Sequence, residues 1–375
     1  MKVRAAVLSQ MGLPAPYARS QPLRVTELEL DPPGPGELLV RVRAAGLCHS
    51  DLSVIDGSRP RVMPMVLGHE AAGEIVECGP DVAGFAPGDT VVFAFVPSCG
   101  HCSYCAEGRA ALCEPGAQAN VAGTLLSGAR RWRADDGTML HHHLGVSAFA
   151  EYTVVSARSA VRIDPDLRPE IAALFGCAVM TGVGAVVNTA HVAPGDSVAI
   201  FGMGGVGLAA LLGALAAGAH PIVAIDVLPA KLELARSLGA THTVLAGPDG
   251  VAEVREITRG GAACALETAG SEAALAQAYA ATRRGGTTVT VGLPHPHKQF
   301  AISAVSLVAE ERTVKGSYMG SAVPRRDLPR YIALHRAGRL PVDRLLTHTL
   351  ALDEINPAFD RLACGAAVRQ VVLFP

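Results

Sequence analysis

The 375-residue chain is half apolar, only 18% charged, and carries a formal net charge of −2. This composition describes a packed globular protein and excludes a disordered one, and the charge gives no electrostatic case for nucleic acid or an anionic membrane. The length predicts two domains rather than one core.

The opening MKVRAAVLSQ has too short an apolar run for a signal peptide, and no stretch reads as long enough to span a bilayer, so a cytoplasmic protein is expected. To about residue 95 the chain reads as short strands: RAAVLSQ, LRVTELEL and ELLVRVRAAG alternate, with DPPGPGE and FAPGDTV supplying turns. From Cys99 to about Gly145 it reads as irregular, with a cysteine cluster, glycine-rich turns and His141, His142 and His143, which are expected on an exposed loop. FAEYTVVS resumes strand character. After Cys177 the texture changes to AVMTGVGAVVNTA (helix), DSVAIFG (buried strand), GVGLAALLGALAAGA (helix), PIVAIDV (strand) and KLELARSLGA (helix), continuing through TTVTVGL. This is the βαβ rhythm of a doubly wound parallel sheet. From about Gly320 mixed segments return, ending on VRQVVLF. The order predicts a dinucleotide domain, residues 179–320, inserted into a catalytic domain made of residues 1–178 and 321–375.

VAIFGMGGVGLAA places Gly202, Gly204 and Gly207 in G-x-G-x-x-G register between a strand and a helix, with Gly205 and Val206 inside the motif. The glycines allow the tight turn, the approach of a pyrophosphate to the backbone and close helix–strand packing, while the helix N-terminus faces phosphate charge. Asp226 ends the next strand, where a carboxylate accepts from both hydroxyls of an adenosine ribose and repels a 2′-phosphate. Val227, Leu228, Pro229 and Ala230 follow without an arginine, which favours NAD over NADP. Lys231 is placed to reach the same ribose or to stand solvated on its helix.

Nine cysteines in a chain with no expected leader suggest metal binding over disulfides. Cys99, Cys102, Cys105 and Cys113, spaced C-x2-C-x2-C-x7-C within a lobe at about residues 97–115, suit a closed tetrahedral structural zinc; an iron–sulfur cluster or reactive thiols are the rival readings. His101 reads as an exposed loop residue. A catalytic zinc needs an open position; Cys48, His69 and Cys177 are candidates, although spacing alone does not join them.

GHEAAGEIVECGPDV, from Gly68, resembles the signature of zinc-containing medium-chain alcohol dehydrogenases. GLCHSD, the four-cysteine lobe, FGCAVMTGVGAVVNTA and the nucleotide fingerprint resemble that family in the same order, along essentially the whole chain. LGVSAFAEYTVV and VKGSYMG most resemble its class III-like branch, which includes glutathione-dependent formaldehyde dehydrogenases. The resemblance implies a Rossmann sheet inserted into a β-rich GroES-like catalytic domain, with two zinc ions per chain and NAD. It implies that Cys48, His69 and Cys177 ligate the catalytic zinc, that Glu70 lies behind it, and that Asp51 hydrogen-bonds the free nitrogen of His69. It further implies that Ser50 begins proton release, that His49 and Arg369 approach the pyrophosphate, that Val291 lies among the cofactor-binding residues, and that Phe95 packs on the substrate. The implied reaction moves a hydride between a primary alcohol, apolar or aromatic, and NAD, with zinc as Lewis acid. A homodimer is the expected assembly.

Two departures refine this. Ser53 stands where many relatives carry a histidine that passes the proton to solvent, so water is expected to complete the relay. DGSRPRV offers Arg59 and Arg61 where class III members carry acidic residues for glutathione, which favours a free alcohol over S-(hydroxymethyl)glutathione, the alternative substrate. A non-catalytic zinc- and nucleotide-binding protein is the alternative from another class; keeping Cys48, Ser50, His69 and Cys177 together argues against it. Cys78, Cys264 and Cys364 read as buried or incidental thiols.

Overall fold

The computed structural model describes residues 1–375, which form two compact units. The first comprises Met1–Cys177, Val323–Pro329 and Leu346–Pro375; the second comprises Ala178–Ala322 and Arg330–Leu345.

In the first unit the strand Glu37–Gly46 is the spine of a seven-stranded sheet. Leu38, Val40 and Val42, alternate residues on one face, are fully buried, while Arg41 and Arg43 on the other face are half-buried. It pairs antiparallel with Glu70–Cys78, Tyr152–Ser156 and Arg369–Leu373. The register sets Gly46 opposite Glu70, and the Leu47 N–H donates to the Gln370 carbonyl at 2.9 Å. Three chain segments distant in sequence therefore meet where the strand ends, bringing Cys48, His69 and Arg369 into one neighbourhood. A second layer is a closed barrel of Lys2–Leu8, Leu23–Leu30, Trp132–Arg133, Met139–His142 and Met65–Val66, its interior filled by Trp132, Val3, Val66 and Leu140.

The stretch read as irregular holds real elements: a helix at Glu114–Ala122 and two barrel strands, Trp132–Arg133 and Met139–His142. The strands were illegible because they are only two and four residues long and belong to a barrel whose other members lie far away in sequence.

Pro169–Ala190 is one helical run of 22 residues, interrupted by π-helical turns at Phe175–Val179 and Ala185–Ala190. By length and composition this run could cross a membrane, which corrects the expectation that no stretch is long enough. Its apolar window is 89% buried within the protein, so its hydrophobicity is that of a core helix. Cys177 sits on the first π turn. A Cβ on Gly176 would come within 2.5 Å of the Phe93 carbonyl oxygen, so glycine there lets the turn press onto the strand Thr90–Phe93.

The second unit contains six parallel strands: β1 (Val198–Phe201), β2 (Ile222–Asp226), β3 (His242–Leu245), β4 (Ala262–Glu267), β5 (Thr282–Thr290) and β6 (Thr313–Gly316). Their order is β3-β2-β1-β4-β5-β6, the doubly wound arrangement whose ligands bind outside the carboxyl ends of the strands where the order reverses. β1 and β2 are buried along their whole length, as strands covered on both faces must be. Gly202 and Asp226 stand at the carboxyl ends of these neighbours.

Candidate active site

Cys48 caps the helix His49–Ile55 and Asp51 lies in its first turn, the carboxylate accepting from the Cys48 N–H at 3.3 Å. His69 directly precedes the strand Glu70–Cys78. Cys48, His69 and Cys177 are 7%, 1% and 5% exposed, and their ligand atoms lie within 4.8 Å of one another. The two sulfurs are 3.9 Å apart. Two Zn–S bonds of about 2.3 Å meeting tetrahedrally separate their sulfurs by roughly 3.8 Å, so the donors fit zinc in type and spacing.

Asp51 is fully buried, and its Oδ1 accepts from the Gly68 N–H at 3.2 Å and faces His69 Nδ1 at 3.1 Å. Nδ1 is thereby committed to the carboxylate and Nε2 is left for the metal. Burial opposes a charge on His69, but Asp51 and Cys48 hold its pKa well above the ordinary value. The contact with Cys177 and the charge of His69 hold the Cys48 thiol well below the usual range, while Cys48 and burial push Cys177 up. The pair therefore favours a first thiolate on Cys48.

Glu70 is fully buried and ion-paired with Arg369, and its Oε1 has no hydrogen-bond partner. Burial raises its pKa to about 7 against the opposing pull of the Arg369 guanidinium. Ser50 is half-buried and His49 exposed at the start of the same helix. Ser53 Oγ donates to the His49 carbonyl oxygen at 2.7 Å, so that hydroxyl is engaged by its own helix. Phe95 is 7% exposed and stands edge-on to the His69 ring, centroids 5.5 Å apart.

His141, His142 and His143 require a correction. His142 is fully buried and His143 is 1% exposed, with only His141 half-buried, so they are not exposed loop histidines. The barrel strand turns His142 inward, and the chain after it carries His143 to within 3.3 Å of Asp51.

The lobe cysteines Cys99, Cys102, Cys105 and Cys113 bring four sulfurs within 4.8 Å of one another. Backbone N–H groups of Cys102, Cys99 and Gly116 approach the sulfurs of Cys99 and Cys113 at 3.2–3.4 Å, while burial pushes the Cys113 thiol up. Backbone donors from Cys105 and Glu114 lower the Cys102 thiol to about 6, whereas burial pushes Cys105 to about 12. Four thiols with no open position fit a structural zinc. His101 is exposed. Of the other three cysteines, Cys264 is buried, Cys78 partly so and Cys364 exposed.

In the second unit Gly202 has φ 101°, Gly204 caps the helix Gly205–Ala216, and a Cβ on Gly207 would lie 1.8 Å from the Gly202 carbonyl oxygen. Asp226 is 7% exposed; its carboxylate accepts from the Met203 N–H at 2.6 Å and the Leu228 N–H at 2.9 Å, tying the end of β2 to the glycine loop. Lys231 is half-buried on the helix Pro229–Leu238. The Val291 N–H donates to the Glu267 carbonyl oxygen at 2.9 Å. Glu267 was missed by sequence reasoning: 1% exposed, it accepts from the Gly270 N–H and Thr290 Oγ1, fixing the loops after β4 and β5. A carboxylate closing a buried strand at its carboxyl end was the available signal.

Comparison with known proteins agrees with this arrangement. Residues 34–165 match the alcohol dehydrogenase GroES-like domain and residues 205–336 the zinc-binding dehydrogenase domain. A Mycobacterium tuberculosis protein provisionally named alcohol dehydrogenase D is 40% identical over the full length of both chains. An NDMA-dependent alcohol dehydrogenase of Amycolatopsis methanolica is 38% identical, covering 100% of this chain and 99% of the relative. An S-(hydroxymethyl)glutathione dehydrogenase of Escherichia coli is 37% identical over the full length of both. The crystal structure of benzyl alcohol dehydrogenase from Acinetobacter calcoaceticus superposes with a TM-score of 0.93 at 33% identity, covering both chains completely.

Proposed function

Because the chain belongs to the zinc-dependent alcohol dehydrogenase family, whose GroES-like and zinc-binding domains it carries in order, we propose that it oxidises a free primary alcohol, aromatic or apolar, to its aldehyde with NAD as hydride acceptor. The observation that carries this reading is the buried Cys48–His69–Cys177 set with His69 oriented by Asp51. When bound there, zinc supplies the Lewis acidity that lowers an alcohol's pKa and polarises an aldehyde. Cys48, His69 and Cys177 hold the metal, and Glu70 sets the charge behind it. Ser50 takes the proton leaving the alcohol. Ser53, committed to the His49 carbonyl, does not pass it on, so water completes the route. Phe95 offers an aromatic edge to the substrate.

NAD is supported by Asp226, whose carboxylate is pre-oriented by the loop N–H groups and is followed by no arginine. Arg369 and His49 supply positive charge for the pyrophosphate in this reading. The lobe holds a second zinc. Six of the nine cysteines fall in the two proposed zinc-binding sets, a use of thiols that favours a reducing, cytoplasmic setting. Val305 and Val308, 75% and 78% exposed before the edge strand β6, support a homodimer that covers that edge.

The test is NADH formation by the zinc-loaded protein on benzyl and medium-chain alcohols beside hydroxymethylglutathione, with and without NDMA, and with zinc content measured. Turnover of the free alcohols with two zinc ions per chain supports the proposal. Preference for the glutathione adduct would overturn the reading of Arg59 and Arg61 and move the substrate to that of the E. coli relative.

A further inference from the structure

The segment that carries Phe95 is held by a helix with no other part in the site. The strand Thr90–Phe93 ends with the Ala94 N–H donating to the Ser159 carbonyl at 2.7 Å, and the chain leaves the sheet at Phe95. There the Phe95 carbonyl oxygen accepts from Asn120 Nδ2 at 2.8 Å, a buried bond across 25 residues of sequence. The ring of the same residue stands edge-on to His69, centroids 5.5 Å apart. A carbonyl takes only a donor, so this bond fixes which end of the amide faces Phe95.

Asparagine is a weak helix former, yet Asn120 stands in the last turn of the helix Glu114–Ala122 at 6% exposure. Its Oδ1 has no hydrogen-bond partner, so the side chain leaves a buried acceptor unsatisfied. A leucine of similar volume would avoid that cost, and the bond to Phe95 is what asparagine adds. The helix itself is tied at both ends. Cys113 Sγ accepts from the Gly116 N–H at 3.4 Å in its first turn, and the carbonyl of Gly123, just past its end, accepts from the His142 N–H at 2.8 Å. A Cβ on Gly116 would come within 2.2 Å of the Pro97 carbonyl oxygen, so glycine there lets the first turn press on the same segment two residues beyond Phe95. Phe95 is therefore placed by the lobe helix rather than by the sheet it has left.

Resting on the proposed alcohol dehydrogenase reading, we infer that Asn120 is a positioning residue: by donating to the Phe95 carbonyl it sets the Phe95 ring against the substrate beside His69, and the preference for aromatic over short alcohols depends on that bond. A binding contact holds its geometry only when its support fixes it to within about 0.5 Å. Without the donor, the buried Phe95 carbonyl turns toward another partner and carries the ring with it.

The experiment measures oxidation of benzyl alcohol and ethanol by the full-length, zinc-loaded protein, by Asn120→Leu, by Phe95→Leu and by the double variant, with zinc content measured in each. Asn120→Leu is expected to lose about tenfold in kcat/KM for benzyl alcohol through KM. Its kcat and its constants for ethanol should change by less than about twofold, with both zinc ions retained. In the double variant the loss should equal that of Phe95→Leu alone, the non-additivity of a residue that acts through another. Fluorine NMR of protein labelled with 4-fluorophenylalanine gives a readout independent of turnover: the signal missing in Phe95→Leu should shift or broaden in Asn120→Leu more than any other. If Asn120→Leu fails to fold, Asn120→Ser, whose hydroxyl is too short to reach the Phe95 carbonyl, carries the same expectations. Equal losses on both alcohols, additive losses in the double variant, or an unmoved Phe95 signal would overturn the inference. A Phe95 signal that follows Asn120 in a protein that oxidises no alcohol would support the tie and overturn the reaction it rests on.

Discussion

The guanidinium of Arg369 and the carboxylate of Glu70 form an ion pair with both side chains closed to solvent, 4% and 0% exposed. The two residues are 299 positions apart and meet because the strand Arg369–Leu373 adds to Glu37–Gly46, which also pairs with the strand that Glu70 opens. Burial first, and then the neighbouring Cys48, push the Glu70 pKa up, while Arg369 pulls it down.

Breaking a buried pair from one side leaves a sealed, uncompensated charge, which costs about 3–5 kcal/mol. Arg369→Met is therefore expected to lose about that much in denaturant unfolding, and Glu70→Leu combined with Arg369→Met to recover most of it. A single-variant loss below about 1 kcal/mol would show that the carboxylate is neutralised by other means. NAD affinity of the folded Arg369→Met protein, measured separately, reports the pyrophosphate role.

Asp51 sits at the centre of the donors around the proposed metal site. In Asp51→Asn the amide can offer oxygen to His69 and Gly68 or to the Cys48 N–H, but not to both sides, so one donor faces another. Loss of such an outer partner typically costs 10- to 100-fold in metal affinity or activity. Chelator competition should find one zinc per chain loosened by that factor and the lobe zinc unchanged. Equal loosening of both would mean that the substitution unsettles the whole unit.

Asp226 has two duties, toward the glycine loop and toward the proposed ribose. Asp226→Ser removes the charge that repels a 2′-phosphate but also releases the Met203 and Leu228 N–H groups. Charge-assisted hydrogen bonds contribute about 1.5–3 kcal/mol each, so NADH fluorescence titration should show binding weakened at least tenfold. NADPH should gain less than NADH loses, because the loop loses its anchor. Full conversion to NADP preference would show that the anchor is dispensable.

What the residue order revealed follows from range. The four lobe cysteines and the glycine loop are local, with spacing and geometry almost the same fact, so both were legible. Cys48 and Cys177 are 129 residues apart and meet only through sheet register and a π turn, neither of which leaves a periodic trace; resemblance, not spacing, joined them. His142 and His143 were misread because the strand Met139–His142 is four residues long, too short to show its alternation. Closing the barrel, rather than local propensity, turns His142 inward.

His142 gives the pH dependence of the fold. Its Nε2 accepts from the Arg131 N–H at 3.1 Å, it packs beside Trp132, and burial first, then the Arg131 charge, lowers its pKa to about 3. The unfolded chain protonates this side chain near the ordinary 6.5, whereas the folded chain does not until about pH 3. Between those values the unfolded state binds more protons. Stability must therefore fall as pH falls through this window, by at most about 1.4 kcal/mol per pH unit from this residue. Above pH 6.5 the contribution is complete and flat. Thermal unfolding from pH 7 to pH 4 should show this acid limb, and His142→Phe, which keeps the aromatic packing and removes the titration, should flatten it by about one proton's slope. The variant leaves the Arg131 N–H without its acceptor, so its plateau stability at pH 7 should sit about 1–3 kcal/mol lower. The slope, not the plateau, decides: an acid limb of unchanged steepness in His142→Phe would assign the acid sensitivity to other groups.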